Sequence, residues 1–154
     1  MTADPSVAAA GAGVAEPVLQ HATCVAYHGR GILIMGEPGT GKSSLALRLI
    51  DRGAMLVADD YALLSREGES LVATVPEHIA GLIEIRGLGI SRLPFRRRAE
   101  IVLTVRLGRE DERLPEPKEW EMLGLKRPLV VMDALRDDSP LKVEMALSGG
   151  PIRL

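Results

Sequence analysis

The sequence predicts an α/β fold: a β-rich mixed sheet that carries a phosphate-binding loop and one main helix. Three observations lead there. Eight short apolar or β-branched runs are bounded by Gly, Pro and charged clusters, the pattern of buried strands. One segment, Lys42 to Arg52, has full helical periodicity. Between a strand run and that helix lies Gly36-Glu37-Pro38-Gly39-Thr40-Gly41-Lys42-Ser43, a glycine-rich loop in the setting a P-loop requires. One long helix cannot cover both faces of an all-parallel sheet, so much of the sheet is expected to be antiparallel.

Taken in order, residues 1–18 are rich in Ala, Gly, Pro and Val and read as a flexible tail, with the P-loop domain over residues 19–154. No Lys or Arg precedes Arg30, so the start lacks the basic head of a signal or transit peptide. Strands are expected at Ala22 to Tyr27 and Gly31 to Met35, joined by His28-Gly29-Arg30 too tightly for a helical crossover. In the helix, Leu45, Leu49 and Ile50 make the apolar stripe, and Gly53 supplies the stop. Further strands follow at Met55 to Ala58, Tyr61 to Ser65 and Leu71 to Val75, the last two closed by a turn at Glu67-Gly68-Glu69-Ser70. A short helix is expected over Pro76 to Leu82. Strands Ile101 to Leu107, Pro128 to Met132 and Lys142 to Leu147 complete the set, with Arg109 to Lys126 as a long polar surface loop.

At 154 residues and 46% apolar composition the chain is expected to form one domain with a sizeable core. Nineteen basic against 21 acidic residues give a net charge of -2, which offers no overall attraction to nucleic acid or anionic lipid. No apolar run approaches the ~18–20 residues of a membrane span. Cys24 is the only cysteine, so no intrachain disulfide forms and a cytoplasmic location is expected.

The chemistry concentrates around the loop. Gly39 and Gly41 free the backbone to aim successive N–H groups at phosphate oxygens, and the helix N-terminus adds partial positive charge. Lys42 would reach the β- and γ-phosphates and the Ser43 hydroxyl would sit on Mg²⁺. The strand Met55 to Ala58 ends in Asp59-Asp60, two adjacent carboxylates that can divide metal binding and base catalysis. On their own, Glu84-Ile85-Arg86-Gly87-Leu88-Gly89-Ile90, Asp111-Glu112-Arg113-Leu114 and His21 fit solvated surface as readily as a phosphate clamp, and Arg96-Arg97-Arg98 reads as a charged edge. These residues lead to a Mg-nucleotide phosphotransferase.

Together, His21, GEPGTGKS, LVADD and IEIRGLGI, in that order, resemble the kinase domain of HPr kinase/phosphorylase, over about Leu19 to Leu147. The resemblance implies a carboxykinase-like P-loop kinase fold and an ATP- and Mg-dependent serine kinase acting on the phosphocarrier HPr, with reverse phosphorolysis. It implies Asp59 as catalytic acid/base with His21 beside it, Ser43 and Glu84 as Mg²⁺ ligands supported by Asp60, Arg86 in the phosphorolysis signature, and Arg113 on the transferring phosphoryl group. Ser44 closes the nucleotide loop where the family often has Glu, and Glu37-Pro38 replaces Asp-Ser. The expected form is a short one, the C-terminal kinase domain alone, without the separate N-terminal domain and the HPr-gripping C-terminal helix of long members. Expected partners are HPr and further copies of the chain, not nucleic acid or membrane. A nucleotide-sensing module without transfer and a small-molecule kinase stay open as alternatives.

Overall fold

The computed structural model describes residues 16–150. Most of the expected tail, residues 1–15, lies outside the described residues, and Val18 already opens the first strand. The elements are β1 (Val18–His21), β2 (Thr23–Tyr27), β3 (Arg30–Met35), α1 (Lys42–Asp51), β4 (Met55–Ala58), β5 (Tyr61–Glu67), β6 (Ser70–Thr74), β7 (Leu82–Ile85), β8 (Gly89–Arg92), β9 (Arg98–Leu107), β10 (Lys118–Met122), β11 (Leu125–Met132) and α2 (Ser139–Leu147).

The ten-residue β9 is the spine of the sheet. Along one edge it runs parallel to β3; along the other it pairs first with β6, antiparallel, and then with β11, parallel. The order β1-β5-β6-β9-β3-β2-β4 continues outward through antiparallel neighbours, and β10 closes on β11 as a hairpin. The mixed, largely antiparallel sheet expected from the short connections is what forms. His28 and Gly29 take φ of 52° and 82°, and Gly68 takes 63°, in the two tight turns read from the sequence. Because β3, β9 and β11 run the same way, their C-terminal ends gather at one side, where the loop after β3 begins. Ligands of such sheets bind outside those strand ends.

Successive side chains of β3 alternate between two cores, as a strand buried on both faces requires. Ile32 and Ile34 meet Leu45, Ala46 and Leu49 of α1, while Leu33 and Met35 meet Ala62, Leu64, Leu71 and Leu129 from the strands folded over the other face. Leu45 and Leu49 are fully buried, each worth about 1.5–3 kcal/mol. This apolar stripe holds α1, and therefore the loop before it, against the sheet.

Four expectations are corrected. Lys142 to Leu147 is helix, not strand, so the described residues hold two α-helices rather than one: Pro140 sits in the first turn, and Pro140 and Val143 are buried at helical spacing. The second half of the Arg109 to Lys126 loop is the β10–β11 hairpin; its Leu123-Gly124 turn adopts φ of 54° and 78°, and Trp120 and Met122 pack on the core. The helix expected over Pro76 to Leu82 shrinks to a 3-10 turn at Glu77–Ile79, because Ala80 is extended and Gly81 takes φ of 78°. Finally, Glu84 to Ile90 is not a plain connection but most of the β7–β8 hairpin.

Candidate active site

Two sharp corners build the site. β1 passes into β2 through Ala22, and β4 passes into β5 through Asp59 and Asp60. The corners run side by side, with His21 opposite Tyr61 and Cys24 opposite Ala58 in their ladders. Asp60 takes φ of 71°, a left-handed conformation that Asp tolerates better than most residues. The bend is held by the Ala22 N–H donating to the Asp60 carbonyl at 3.0 Å and the Asp60 N–H donating to Thr23 Oγ1 at 3.2 Å.

This turn gives the two carboxylates different surroundings. Asp59 is buried, 6% exposed. Its Oδ1 accepts hydrogen bonds from Thr23 Oγ1 at 3.0 Å and Ser43 Oγ at 2.6 Å, and its Oδ2 accepts the Glu84 backbone N–H at 3.0 Å. The side chain of Asp60 is 59% exposed and lies 2.8 Å from His21 Nε2, and the imidazole stacks on Tyr61 with ring centroids 5.1 Å apart. His21 therefore pairs with Asp60, not with Asp59 as expected. The oxygens of Asp59 are already surrounded by donors, and the left-handed turn carries Asp60 to the His21 side.

Between β3 and α1 the loop Gly36 to Gly41 closes on itself. Thr40 Oγ1 donates to the Glu37 carbonyl at 2.7 Å, and Lys42 Nζ donates to the carbonyls of Gly36 at 2.8 Å and Glu37 at 3.2 Å. Gly39 and Gly41 take φ of 83° and 98°. A Cβ at Gly36 would lie 2.6 Å from Thr40 Oγ1, so close approach demands glycine there. The N-cap residue Gly41 has no side chain to cap α1, and the first turn holds no acid. Its leading N–H groups are thus left to an incoming anion. Ser43 hangs from that turn onto Asp59, while Ser44 is exposed.

Other expected site residues sit further out. Glu84 joins through its backbone, its side chain exposed on β7; Arg86 is exposed in the β7–β8 turn; Arg113 is exposed between β9 and β10. Among the described residues no three His, Cys, Asp or Glu side chains converge on a metal position. The segment bearing Arg113 is anchored at its base by Glu110, which accepts Lys142 Nζ at 2.5 Å and the Asp133 N–H at 3.0 Å. Burial pushes this carboxyl up, but those two bonds and the charges of Lys142 and Arg136 outweigh it and hold the group below the usual range.

A cleft of about 320 Å³ opens beside the loop, lined among others by Gln20, His21, Gly36, Arg106 and Trp120. Thr23 and Arg106 were not singled out by sequence. Thr23 is a polar residue in a fully buried run, and Arg106 interrupts the apolar end of β9; either irregularity was a usable signal.

The sequence profile of the HPr Serine kinase C-terminal domain matches residues 12–131. The chain belongs to this family. An HPr kinase/phosphorylase of Caldicellulosiruptor bescii is 38% identical over 133 residues, which cover 77% of this chain and 43% of that protein. One of Leptothrix cholodnii is 34% identical over 157 residues, covering 91% and 48%. Among solved structures, the Hpr(Ser) kinase/phosphatase from Coxiella burnetii matches with a TM-score of 0.74 at 29% identity, over 86% of this chain and 95% of that one. The chain spans less than half the length of these two curated relatives. The family read from His21, GEPGTGKS, LVADD and IEIRGLGI is the family found, and the mixed α/β fold agrees with the HPr kinase structure.

Proposed function

We propose that this chain is an ATP- and Mg²⁺-dependent kinase that phosphorylates a serine of the phosphocarrier HPr and runs the reverse phosphorolysis of phosphoseryl-HPr at the same site. The observation that carries the reading is the 2.6 Å bond from Ser43 to the buried Asp59, at the foot of an uncapped helix that follows a glycine-rich loop. Ser43 and Asp59 are hard oxygen donors side by side, the set that holds Mg²⁺ against a nucleotide in P-loop enzymes. Bound there, Mg²⁺ would neutralise charge on the phosphate oxygens, and Glu84, whose backbone N–H already meets Asp59, is the further carboxylate that would turn to it.

In the forward reaction the acceptor serine Oγ forms a bond to the γ-phosphorus while the bond to the β–γ bridging oxygen breaks. ADP leaves with that electron pair, and the serine proton passes to a carboxylate. The transition state is loose, so the protein mainly positions and neutralises. Gly36 to Gly41 cradle the phosphates with backbone N–H groups; Lys42, which bridges loop carbonyls across the mouth, turns its ammonium to the β- and γ-oxygens. Arg86 and Arg113 approach the phosphoryl group from their exposed segments.

The two aspartates divide the work. Asp59 accepts three hydrogen bonds and has little room for an acceptor hydroxyl, which suits it to hold Ser43 and the metal. Asp60 is open to solvent and steadied by His21, which suits it to take the serine proton. This reverses the roles implied by family resemblance alone.

The test incubates the full chain with ATP, Mg²⁺ and cognate HPr and reads HPr by mass spectrometry. One serine becomes phosphorylated, and Lys42→Ala abolishes the product. HPr left unmodified by the unaltered chain overturns the proposal.

A further inference from the structure

Arg106 is the one charged residue among the last five of β9. Its neighbours Val105 and Leu107 are buried, whereas its own side chain is exposed. In the ladder Arg106 stands opposite Met35, the residue immediately before the P-loop, so its guanidinium emerges beside Gly36. Gln20 and His21 of β1 and Trp120 of β10 line the same cleft. Among the described residues the Arg106 side chain makes no hydrogen bond and no ion pair, although Glu37 borders the cleft and Asp60 lies behind His21. Arg86 and Arg113 are equally unengaged, but neither lines this cleft.

A guanidinium left without a carboxylate, flanked by an imidazole and an amide, is a receptor for a planar or tetrahedral oxyanion. The cleft begins where the phosphate cradle ends and lies on the His21 side, where an acceptor would approach. We propose that Arg106 is a specificity-determining residue of the acceptor side: it binds the oxygens of a phosphate monoester or free phosphate outside the nucleotide cradle, with His21 and Gln20 as further hydrogen-bonding groups. The inference rests on the phosphotransfer reading of the site, because only a bound nucleotide makes a second phosphate position useful. Glu37 opposes a dianion there, so Arg106 is the group on which affinity turns.

Trp120 is the only tryptophan in the chain and lines the cleft, which makes its fluorescence a local reporter. The full chain, saturated with Mg·ADP to fill the cradle, is titrated with inorganic phosphate and separately with O-phosphoserine. Saturable change in Trp120 emission is expected. Arg106→Gln should weaken that binding roughly ten- to hundredfold, the loss of one charge-assisted contact, while Arg106→Lys falls between and both leave the Mg·ADP affinity unchanged. Dependence confined to O-phosphoserine identifies the monoester as the occupant, and dependence confined to inorganic phosphate identifies the free ion. The inference is overturned if neither ligand gives saturable binding, or if Arg106→Gln binds them as tightly as the unaltered chain. Failure of the unaltered chain to bind Mg·ADP overturns the phosphotransfer reading itself, and the inference with it.

Discussion

Gly36 offers the sharpest perturbation of the phosphate loop. A methyl group there would meet Thr40 Oγ1 at 2.6 Å and Leu107 Cβ at 3.2 Å. The first approach is inside any tolerated contact, and the hydroxyl cannot yield without leaving the Glu37 carbonyl, to which it donates at 2.7 Å. Gly36 is not among the residues with positive φ, so the effect of Gly36→Ala is steric. Overpacking of this kind costs about 1–3 kcal/mol. If the loop escapes by opening, the cost appears as nucleotide affinity weakened roughly 5- to 150-fold, since 1.4 kcal/mol is tenfold. Thr40→Ala removes the clashing oxygen, so the double variant Gly36→Ala/Thr40→Ala should recover most of the affinity lost by Gly36→Ala. Gly39→Ala serves as the contrast: a Cβ meets nothing within 4 Å, but φ is 83°, so it pays only backbone strain of about 1–2 kcal/mol, and Thr40→Ala should not rescue it. Calorimetric titration with Mg·ATP across this set is the assay. Unchanged affinity in Gly36→Ala, or failure of Thr40→Ala to rescue a folded Gly36→Ala protein, refutes the geometry argued for the loop.

Two further outcomes follow from charge and burial. Glu110 lies below its ordinary 4.5 as described, and Glu144 lies below 4.5 chiefly through its hydrogen bonds from Arg52. A carboxylate depressed in the folded state contributes stability that is complete above its unfolded pKa and is lost as pH falls through the folded value. Urea denaturation at stepped pH should therefore show stability holding down to about pH 5 and falling below 4.5, and Lys142→Met should lower the plateau and flatten the acid limb; an unchanged limb contradicts the Glu110 assignment. Cys24 is fully buried, and burial pushes its thiol up to about 12. It should resist a thiol-exchange reagent in the native protein at mildly alkaline pH and react once urea unfolds the chain; rapid native reaction contradicts its burial.

The parts of this molecule legible in sequence are those governed by local chemistry. The glycine-rich loop is legible because its backbone needs particular residues, with positive φ at Gly39 and Gly41 and no room for a Cβ at Gly36, and the turns at His28-Gly29 and Gly68 are legible for the same reason. What escaped was set by partners distant along the chain. KVEMAL alternates well enough for a strand, and only the buried Pro140 and Val143 packing beside α1 make it helix. The stretch KEWEM is polar enough for a loop, yet it pairs with Leu125–Leu129 and lays Trp120 on the core. At the site, the adjacency of Asp59 and Asp60 was plain, but which one faces His21 depends on the left-handed turn at Asp60 and on the Thr23 hydroxyl, neither of which has a signature in the run VADD.

The division of labour between the two aspartates is tested most directly by comparing Asp59→Asn with Asp60→Asn, reading Mg·ATP affinity by calorimetry and the single-turnover rate of transfer to HPr. Asp59→Asn should weaken Mg·ATP binding, because it replaces the carboxylate beside Ser43 with a neutral amide. Asp60→Asn should leave that affinity intact and slow transfer by about 10²–10⁴, the worth of a positioned base. Full affinity in Asp59→Asn, together with lost nucleotide binding in Asp60→Asn, would contradict the account.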